Sequence, residues 1–346
     1  MTWLTGWKKR IKLDIDYTNK IGASVTHFPV AIFLKSDNGN STKVFDEVGA
    51  NSRKIAITKA DGETELKGEI EQWDSVNEKG VIHTSITGWT INANTSIYLY
   101  YDNDHANNGN IGLSADGSVA THAVWDSNFK MVQHMVDDTT SAIKDSTSNN
   151  NDGAKLGAGE PAEADGKIGK GQDFDGSDDY VDCGSVGISG NAARTVSFWL
   201  KPNTLSDLQT PFNSGAQQVS QSFTLEINRP ASGQIYFEGW GLDLHTAAIL
   251  TQDVWHYIVI TYDGTTTGLI GDAGKDSGLD IWVNGIQYPW LAYNYGDDSP
   301  LDTLDANYII GARVTNLFFN GFIDEVRIYN RALSAEEILN LYNLFK

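Results

Sequence analysis

Period-two alternation of apolar and polar residues dominates the chain. From Arg10 to Asp16, Ile11, Leu13 and Ile15 fall on one side while Lys12, Asp14 and Asp16 fall on the other, which is the signature of a strand with one buried face. The same pattern predicts strands over Phe28 to Leu34, Lys54 to Lys59, Glu65 to Trp73, Gly80 to Ile86 and Ser96 to Tyr101. Turn chemistry such as Asp61-Gly62 and Asn77-Glu78-Lys79-Gly80 separates them. Strands at this spacing fit an antiparallel sandwich of about 100 residues. The polar, glycine-rich stretch from Asn107 to Ser118 then reads as a junction, dividing the chain into residues 1–118 and 119–346.

Beyond the junction the alternation predicts strands over Arg194 to Lys201, Ser222 to Asn228, Gly233 to Glu238, Val254 to Tyr262, Leu279 to Val283, Asn307 to Ala312 and Phe319 to Tyr329. Asn284-Gly285, between two such runs, is the strongest hairpin signal, because a type I′ turn needs positive φ at both central residues. One helix stands out at the C-terminus. Ser334 and Glu337 have capping-box spacing, and Ile338, Leu341 and Tyr342 form an apolar stripe.

Composition narrows the function classes. A chain of 346 residues with 40% hydrophobic side chains has material for two cores. Its formal charge of −20 repels phosphate backbones and anionic lipid, so neither nucleic acid nor a membrane surface is expected as a partner. Cys183 is the lone cysteine, which excludes an intrachain disulfide and a multi-cysteine zinc site. No apolar segment precedes the charges of Lys8, Lys9 and Arg10, and no long apolar window follows, so neither a secretory signal nor a membrane span is expected.

Several motifs occur in the order of a known family. They are Gly169-Lys170-Gly171-Gln172-Asp173-Phe174-Asp175-Gly176-Ser177-Asp178-Asp179-Tyr180-Val181, Thr195-Val196-Ser197-Phe198-Trp199-Leu200-Lys201-Pro202, Trp255-His256-Tyr257-Ile258-Val259-Ile260-Thr261-Tyr262-Asp263-Gly264, Trp282-Val283-Asn284-Gly285, and the run from Phe322 to Ser334. On these residues, the stretch from about residue 120 to the end resembles the laminin-G-like, concanavalin-A-like jelly-roll family. The first 105 residues are similar to a sandwich module that often precedes such domains in bacterial surface and phage structural proteins. Its marks are Trp7 with Arg10, Phe28-Pro29-Val30, Phe45-Asp46-Glu47-Val48, Glu71-Gln72-Trp73-Asp74 and Tyr100-Tyr101-Asp102-Asn103. The fold class these observations imply is all-β: two tandem antiparallel β-sandwiches, the second a jelly roll, with a short C-terminal helix.

Asp324 is the most informative acid. Uninterrupted alternation puts it on the same face as Phe322, Val326 and Ile328, inside the sandwich, where a carboxylate needs a cation, an arginine or several backbone N–H groups. The resemblance implies calcium near this strand, with Asp175, Asp178 and Asp145 as co-ligands; the alternative is a carboxylate that ties down a loop through hydrogen bonds. The run Asp145 to Gly153 imitates a calcium loop but has Asn150 where glycine is needed and Leu156 where a bidentate glutamate is needed, so a solvated turn fits better.

Catalytic apparatus is hard to find. Glu69-Ile70-Glu71 imitates the paired carboxylates of jelly-roll glucanases, yet it lies in the first module, its third acid is displaced to Asp74, and surface carboxylates on a solvated strand explain it. His134 and His256 lie in strand-like patterns and read as satisfied structural histidines. Trp199, Trp255 and Trp282 read as structural residues of core strands. Trp240 between two glycines, and Trp290, Tyr293 and Tyr295 just past the hairpin, offer flat rings either to the C–H faces of sugars or to a neighbouring subunit. The expectation is therefore a non-enzymatic virion surface protein of a phage, a capsid decoration or tail-fibre component. Its partners would be other virion proteins, further copies of itself and surface glycans. A cell-surface carbohydrate-binding adhesin is the alternative, and a polysaccharide-degrading enzyme comes third.

Overall fold

Alternation does build sheets, and each of two units has sheets whose inner faces enclose a core. The computed structural model describes residues 2–20, 24–137, 140–265, 278–296, 301–314 and 316–346. The chain divides into one unit of Met1–Ser127 with Ser146–Asn150, and a second of Asn128–Asp145 with Asn151–Lys346.

In the first unit, the strands Arg10–Ile15, Thr95–Tyr101 and Ile55–Thr58 form one sheet, in the order first, second, third. Val30–Lys35, Lys79–Ser85, Lys67–Asp74 and Ile111–Leu113 form another. Their inner faces meet in a core that includes Ile11, Leu34, Ile57, Ile70, Ile82 and Leu99. The last strand runs parallel to its neighbour, Gly68 opposite Ile111, which departs from the all-antiparallel expectation. That pairing also corrects the expected boundary at residue 118. Ile111–Leu113 is part of a first-unit sheet, the turn Val119–His122 is capped by Ser118, and Trp125 donates its indole N–H to Glu69 Oε2 at 2.6 Å, so this unit continues to Ser127.

A helix at Thr42–Val48 was not expected from the sequence. It turns Val44, Phe45 and Val48 into the core, and Trp73 pins it: the rings of Phe45 and Trp73 lie 4.8 Å apart, and Trp73 Nε1 donates to Gly49 O at 2.8 Å. Two turns of helix carry too short an apolar stripe to stand out among strands.

The second unit is the expected jelly-roll sandwich. Ala162–Asp165, Lys170–Asp175, Asn320–Tyr329, Arg194–Pro202, His256–Tyr262, Leu279–Val283 and Ile286–Tyr288 follow one another across one antiparallel sheet, with Phe129–Gln133 also paired to Asn320–Tyr329. The opposing sheet runs through Gly153–Leu156, Tyr180–Asp182, Ile309–Ile310, Gln209–Asn213, Thr224–Ile227, Ile235–Glu238, Leu242–His245 and Leu291–Gly296. Phe174, Val196, Phe198, Phe212, Phe237 and Ile258 are among the side chains that fill the space between them. Asn284-Gly285 forms the expected hairpin, with φ of 55° and 76°.

One irregularity resets the face of a whole strand segment. Trp199 stands opposite Asp324 but Ser197 opposite Arg327, so the Asn320–Tyr329 strand carries one extra residue, and Glu325 takes it up with a φ of 54°. Ile323, Val326 and Ile328 therefore all reach the core, while Phe322 and Asp324 face the other way. Among the described residues, no helix is long and apolar enough to cross a membrane.

The C-terminal helix Ala335–Phe345 has both reciprocal capping bonds, from Glu337 N–H to Ser334 Oγ and from Ser334 N–H to the Glu337 carboxylate. Ser334→Ala is expected to cost about 1 kcal/mol in urea unfolding monitored by far-ultraviolet circular dichroism. An unchanged midpoint would mean that the cap adds nothing to the folded unit.

Candidate functional site

The four acids that the sequence suggests as calcium ligands do not form one group. Asp324 is fully buried, but on the outer face of its sheet rather than in the core, because of the bulge at Glu325. Its Oδ2 accepts the Ile168 N–H at 2.9 Å and its Oδ1 the Glu325 N–H at 2.7 Å. The turn Gly166–Gly169 thus closes over it, and Gly166 approaches so closely that a Cβ there would come within 2.5 Å of Oδ2. Asp145 is equally buried and accepts the N–H groups of Val132 (3.0 Å) and Asn151 (2.8 Å), which closes its own turn. Asp175 and Asp178 do meet, with Asp179 as the third member: one carboxylate oxygen of each lies within 4.8 Å of the others. Burial, and then the charges of Asp175 and Asp178, push the Asp179 carboxyl above the ordinary range.

Glu69 and Glu71 are not surface carboxylates on a solvated strand. Glu69 is fully buried and accepts from Trp125 Nε1 and Ser146 Oγ, while Glu71 pairs with His83 Nε2 at 2.6 Å. A register shift between Ile70 and Gln72 breaks their alternation. Both acids are packing elements of the first unit.

The richest polar constellation lies on the outer face of the second unit's other sheet. In Thr224–Ile227 and Ile235–Glu238, Leu225, Ile227, Ile235 and Phe237 enter the core, so Glu226, Tyr236 and Glu238 must point outward. Glu226 stands opposite Tyr236, and Glu238 opposite Asp243. Arg229 Nη1 reaches Glu226 at 2.9 Å and Glu238 at 3.3 Å, and Arg313 Nη1 reaches both acids at 3.2 Å. Arg229 also lies over the Tyr236 ring at 4.1 Å, and Arg313 over the Trp240 ring at 5.5 Å from its centroid. Burial, then Glu226, push the Glu238 carboxyl above its usual range despite both arginines, and burial does the same to Asp243 and to the Tyr236 phenol. Burial works against the Arg229 charge, yet the hydrogen bond and charge of Glu226 hold it above its ordinary value.

Trp240 is half-buried at the edge of this cluster. Its own φ is 55°, and its carbonyl accepts the Ser220 N–H at 3.1 Å. Trp240 Nε1, Ser220 Oγ, Gln221 Oε1 and Arg313 Nε are buried without a hydrogen-bond partner among the described residues, a condition that calls for a ligand, water or strain to explain it. The sequence did not point to Glu226, Tyr236, Glu238, Arg229 or Arg313. The two glutamates occupy the polar phase of adjacent strands, but only the register reveals that the strands place them together.

The other rings fall elsewhere. Trp290 cannot face a sugar: it is buried in the inter-sheet core, 6.5 Å from Phe237, with Nε1 donating to Leu279 O at 3.0 Å. Tyr293 and Tyr295 occupy the strand Leu291–Gly296, and their side chains lie outside the described residues. Trp199, Trp255 and Trp282 stand outside the core between the sheets. Trp199 lies under Lys167 (4.4 Å) and Tyr342, and half-buried Trp255 packs with Phe322 and Lys201.

Residues 175–339, a little under half of the chain, match the family model of the Concanavalin A-like lectin/glucanases superfamily. No curated protein matches the chain. Among solved structures, domain 4 of AbnA, a GH43 extracellular arabinanase from Geobacillus stearothermophilus determined with arabinotriose, is similar at 23% identity and a TM-score of 0.48, covering 62% of this chain and 98% of that one. The binding domain of Paraclostridial Mosquitocidal Protein 1 is similar at 18% identity and 0.45, covering 63% and 52%. That of botulinum neurotoxin serotype D is similar at 16% and 0.45, covering 64% and 52%. The chain spans about half the length of these two toxin domains.

Two outcomes follow from this geometry. Asp324→Asn puts an amide donor against the Ile168 or Glu325 N–H and is expected to cost about 1–3 kcal/mol in urea unfolding, equally in calcium and in chelator; a loss seen only with calcium would instead make Asp324 a ligand. His256, whose Nε2 accepts the Thr251 N–H at 3.0 Å, is held below its ordinary value of 6.5 by burial, against the Thr251 carbonyl 3.3 Å from the same nitrogen. The fold therefore keeps it neutral, and its contribution is present above pH 6.5 and lost as the pH falls below that value. His256→Gln should flatten this part of the stability profile, measured as the difference between the two proteins' midpoints across pH 5 to 8; parallel profiles would count against it.

Proposed function

We propose that the chain is a non-catalytic glycan-binding protein, with the sugar stacked on Trp240 and oriented by Arg313 and the acids beside it. The observation that carries this reading is a half-buried indole with a guanidinium over its ring at 5.5 Å, bordered by buried polar atoms without partners among the described residues. An indole face suits the C–H face of a pyranose or furanose ring, and convergent polar groups suit its hydroxyls. The cluster is preorganised, since Arg229 and Arg313 each bridge Glu226 and Glu238, and a rigid site binds with less ordering cost. The same bridges weigh against turnover: a glycosidase needs one free carboxylate and one protonated acid across the scissile bond, and here both glutamates share the same two cations. The resemblance of the paired modules to virion proteins supports placing this binding function on a phage particle, as a capsid decoration or part of a tail fibre.

Purified full-length protein on a glycan array, in calcium and in chelator, should give at least one ligand. Trp240→Ala should weaken that ligand at least about tenfold, a loss near 1.4 kcal/mol, with unchanged circular dichroism. Silence across the array, or full affinity in the variant, would overturn the assignment. Recovery of the protein with cell envelopes and not with phage particles would favour an adhesin.

A further inference from the structure

A second chemistry lies at the far edge of the same sandwich. The strand Gly153–Leu156 alternates, and Lys155, opposite the core residue Val181, points inward while Ala154 and Leu156 face out. The lysine side chain is 7% exposed, and its Nζ lies 2.5 Å from Oδ2 of Asp137, whose side chain is 1% exposed. Gln172, fully buried on the Lys170–Asp175 strand of the facing sheet, donates Nε2–H to that same Oδ2 at 3.2 Å and to Met135 O at 2.7 Å. Glu163, paired across from Gln172, accepts the Asp137 N–H at 3.0 Å. An ordinary ion pair at a protein surface gains little from such enclosure. Here a primary amine and a carboxyl group are held together, away from water, with an amide donor on the carboxyl oxygen.

We propose that Lys155 and Asp137 condense to an intramolecular isopeptide bond that ties the segment after the Phe129–Gln133 strand to the Gly153–Leu156 strand. A nitrogen hydrogen-bonded to a carboxyl oxygen stands about 3–3.5 Å from the carboxyl carbon, the separation from which bond formation begins. One proton passes from the ammonium to the carboxylate along the existing hydrogen bond, giving amine and acid. The Nζ lone pair attacks Cγ and charge develops on Oδ1, while the Gln172 N–H polarises Oδ2, the protonated oxygen that is to leave. The nitrogen then gives a second proton to the departing hydroxyl, the C–O bond breaks, and water leaves. The sum is amine plus acid to amide plus water, with no oxidant, reductant or further reactant. Exclusion of solvent from the interior opposes the reverse hydrolysis. Gln172 touches a reacting atom and is a catalytic residue of this step; Glu163 holds the Asp137 backbone and is a positioning residue.

Intact mass spectrometry of the denatured full-length chain tests the proposal. The wild type should weigh less than its sequence by one water, and proteolysis should yield one branched peptide joining residues 137 and 155. Lys155→Arg keeps a cation beside Asp137 but has no nucleophilic amine, so it should fold and keep its full mass. Gln172→Ala should slow the loss of water. Glu163→Ala should slow it as well, with rescue by Glu163→Gln, which retains the acceptor. A wild type at full mass after long incubation at neutral pH overturns the proposal. So does a water loss that maps to a succinimide at an Asp-Gly pair such as Asp152-Gly153 and not to a branched peptide.

Discussion

Carboxylates withdrawn from water are the constraint on which this structure turns. An ionised acid in a low-dielectric setting is tolerable only with donors or cations at hydrogen-bond distance, and this chain meets that demand in several ways. Asp324 and Asp145 are satisfied by backbone N–H groups, Glu69 by an indole and a hydroxyl, Glu226 and Glu238 by two arginines, and Asp137 by a lysine and an amide. The mode of satisfaction fixes what each acid does. Backbone N–H groups make an acid into a loop fastener. Arginines leave a rigid charged face, and a primary amine is a potential reactant.

The outer faces of the sheets differ in kind from the inner ones. Inner faces are filled with Phe, Ile, Leu and Val, and a substitution there is a packing event. The outward residues of Thr224–Ile227 and Ile235–Glu238 are instead mutually dependent, because Glu226 and Glu238 share both their cations. Removing one arginine would leave two buried acids competing for the other, so these positions should behave as a unit in double-mutant cycles rather than additively.

The sequence-based reading succeeded where local pattern determines structure and faltered where long-range register does. Strand positions, the Asn284-Gly285 hairpin and the Ser334–Glu337 cap depend on residues a few positions apart, and all appear as expected. The side of the sheet on which Asp324 lies depends on one extra residue at Glu325, and nothing in Phe322 to Asn330 announces that this residue will adopt positive φ. Trp290 looked like a member of an exposed aromatic cluster because it follows a hairpin; its burial depends on Leu279 O and Phe237, both brought in by tertiary packing. Likewise Arg313 lies 87 residues from Glu226, beyond any local pattern. Trp240 between glycines was legible, but its polar neighbours were not.

Binding and catalysis make opposite demands on a pair of acids, and that contrast bears on this face. Hydrolysis of a glycosidic bond needs two carboxyl groups whose environments drive their proton affinities apart, one remaining protonated and the other ionised. Glu226 and Glu238 sit on neighbouring strands in related surroundings, joined by the same pair of guanidiniums, and burial together with Glu226 is what raises Glu238. Because both guanidiniums touch both acids, a change of charge at either acid is felt by the whole cluster. What the face presents is a pattern of charge and an aromatic ring, the feature on which the proposed glycan-binding role rests.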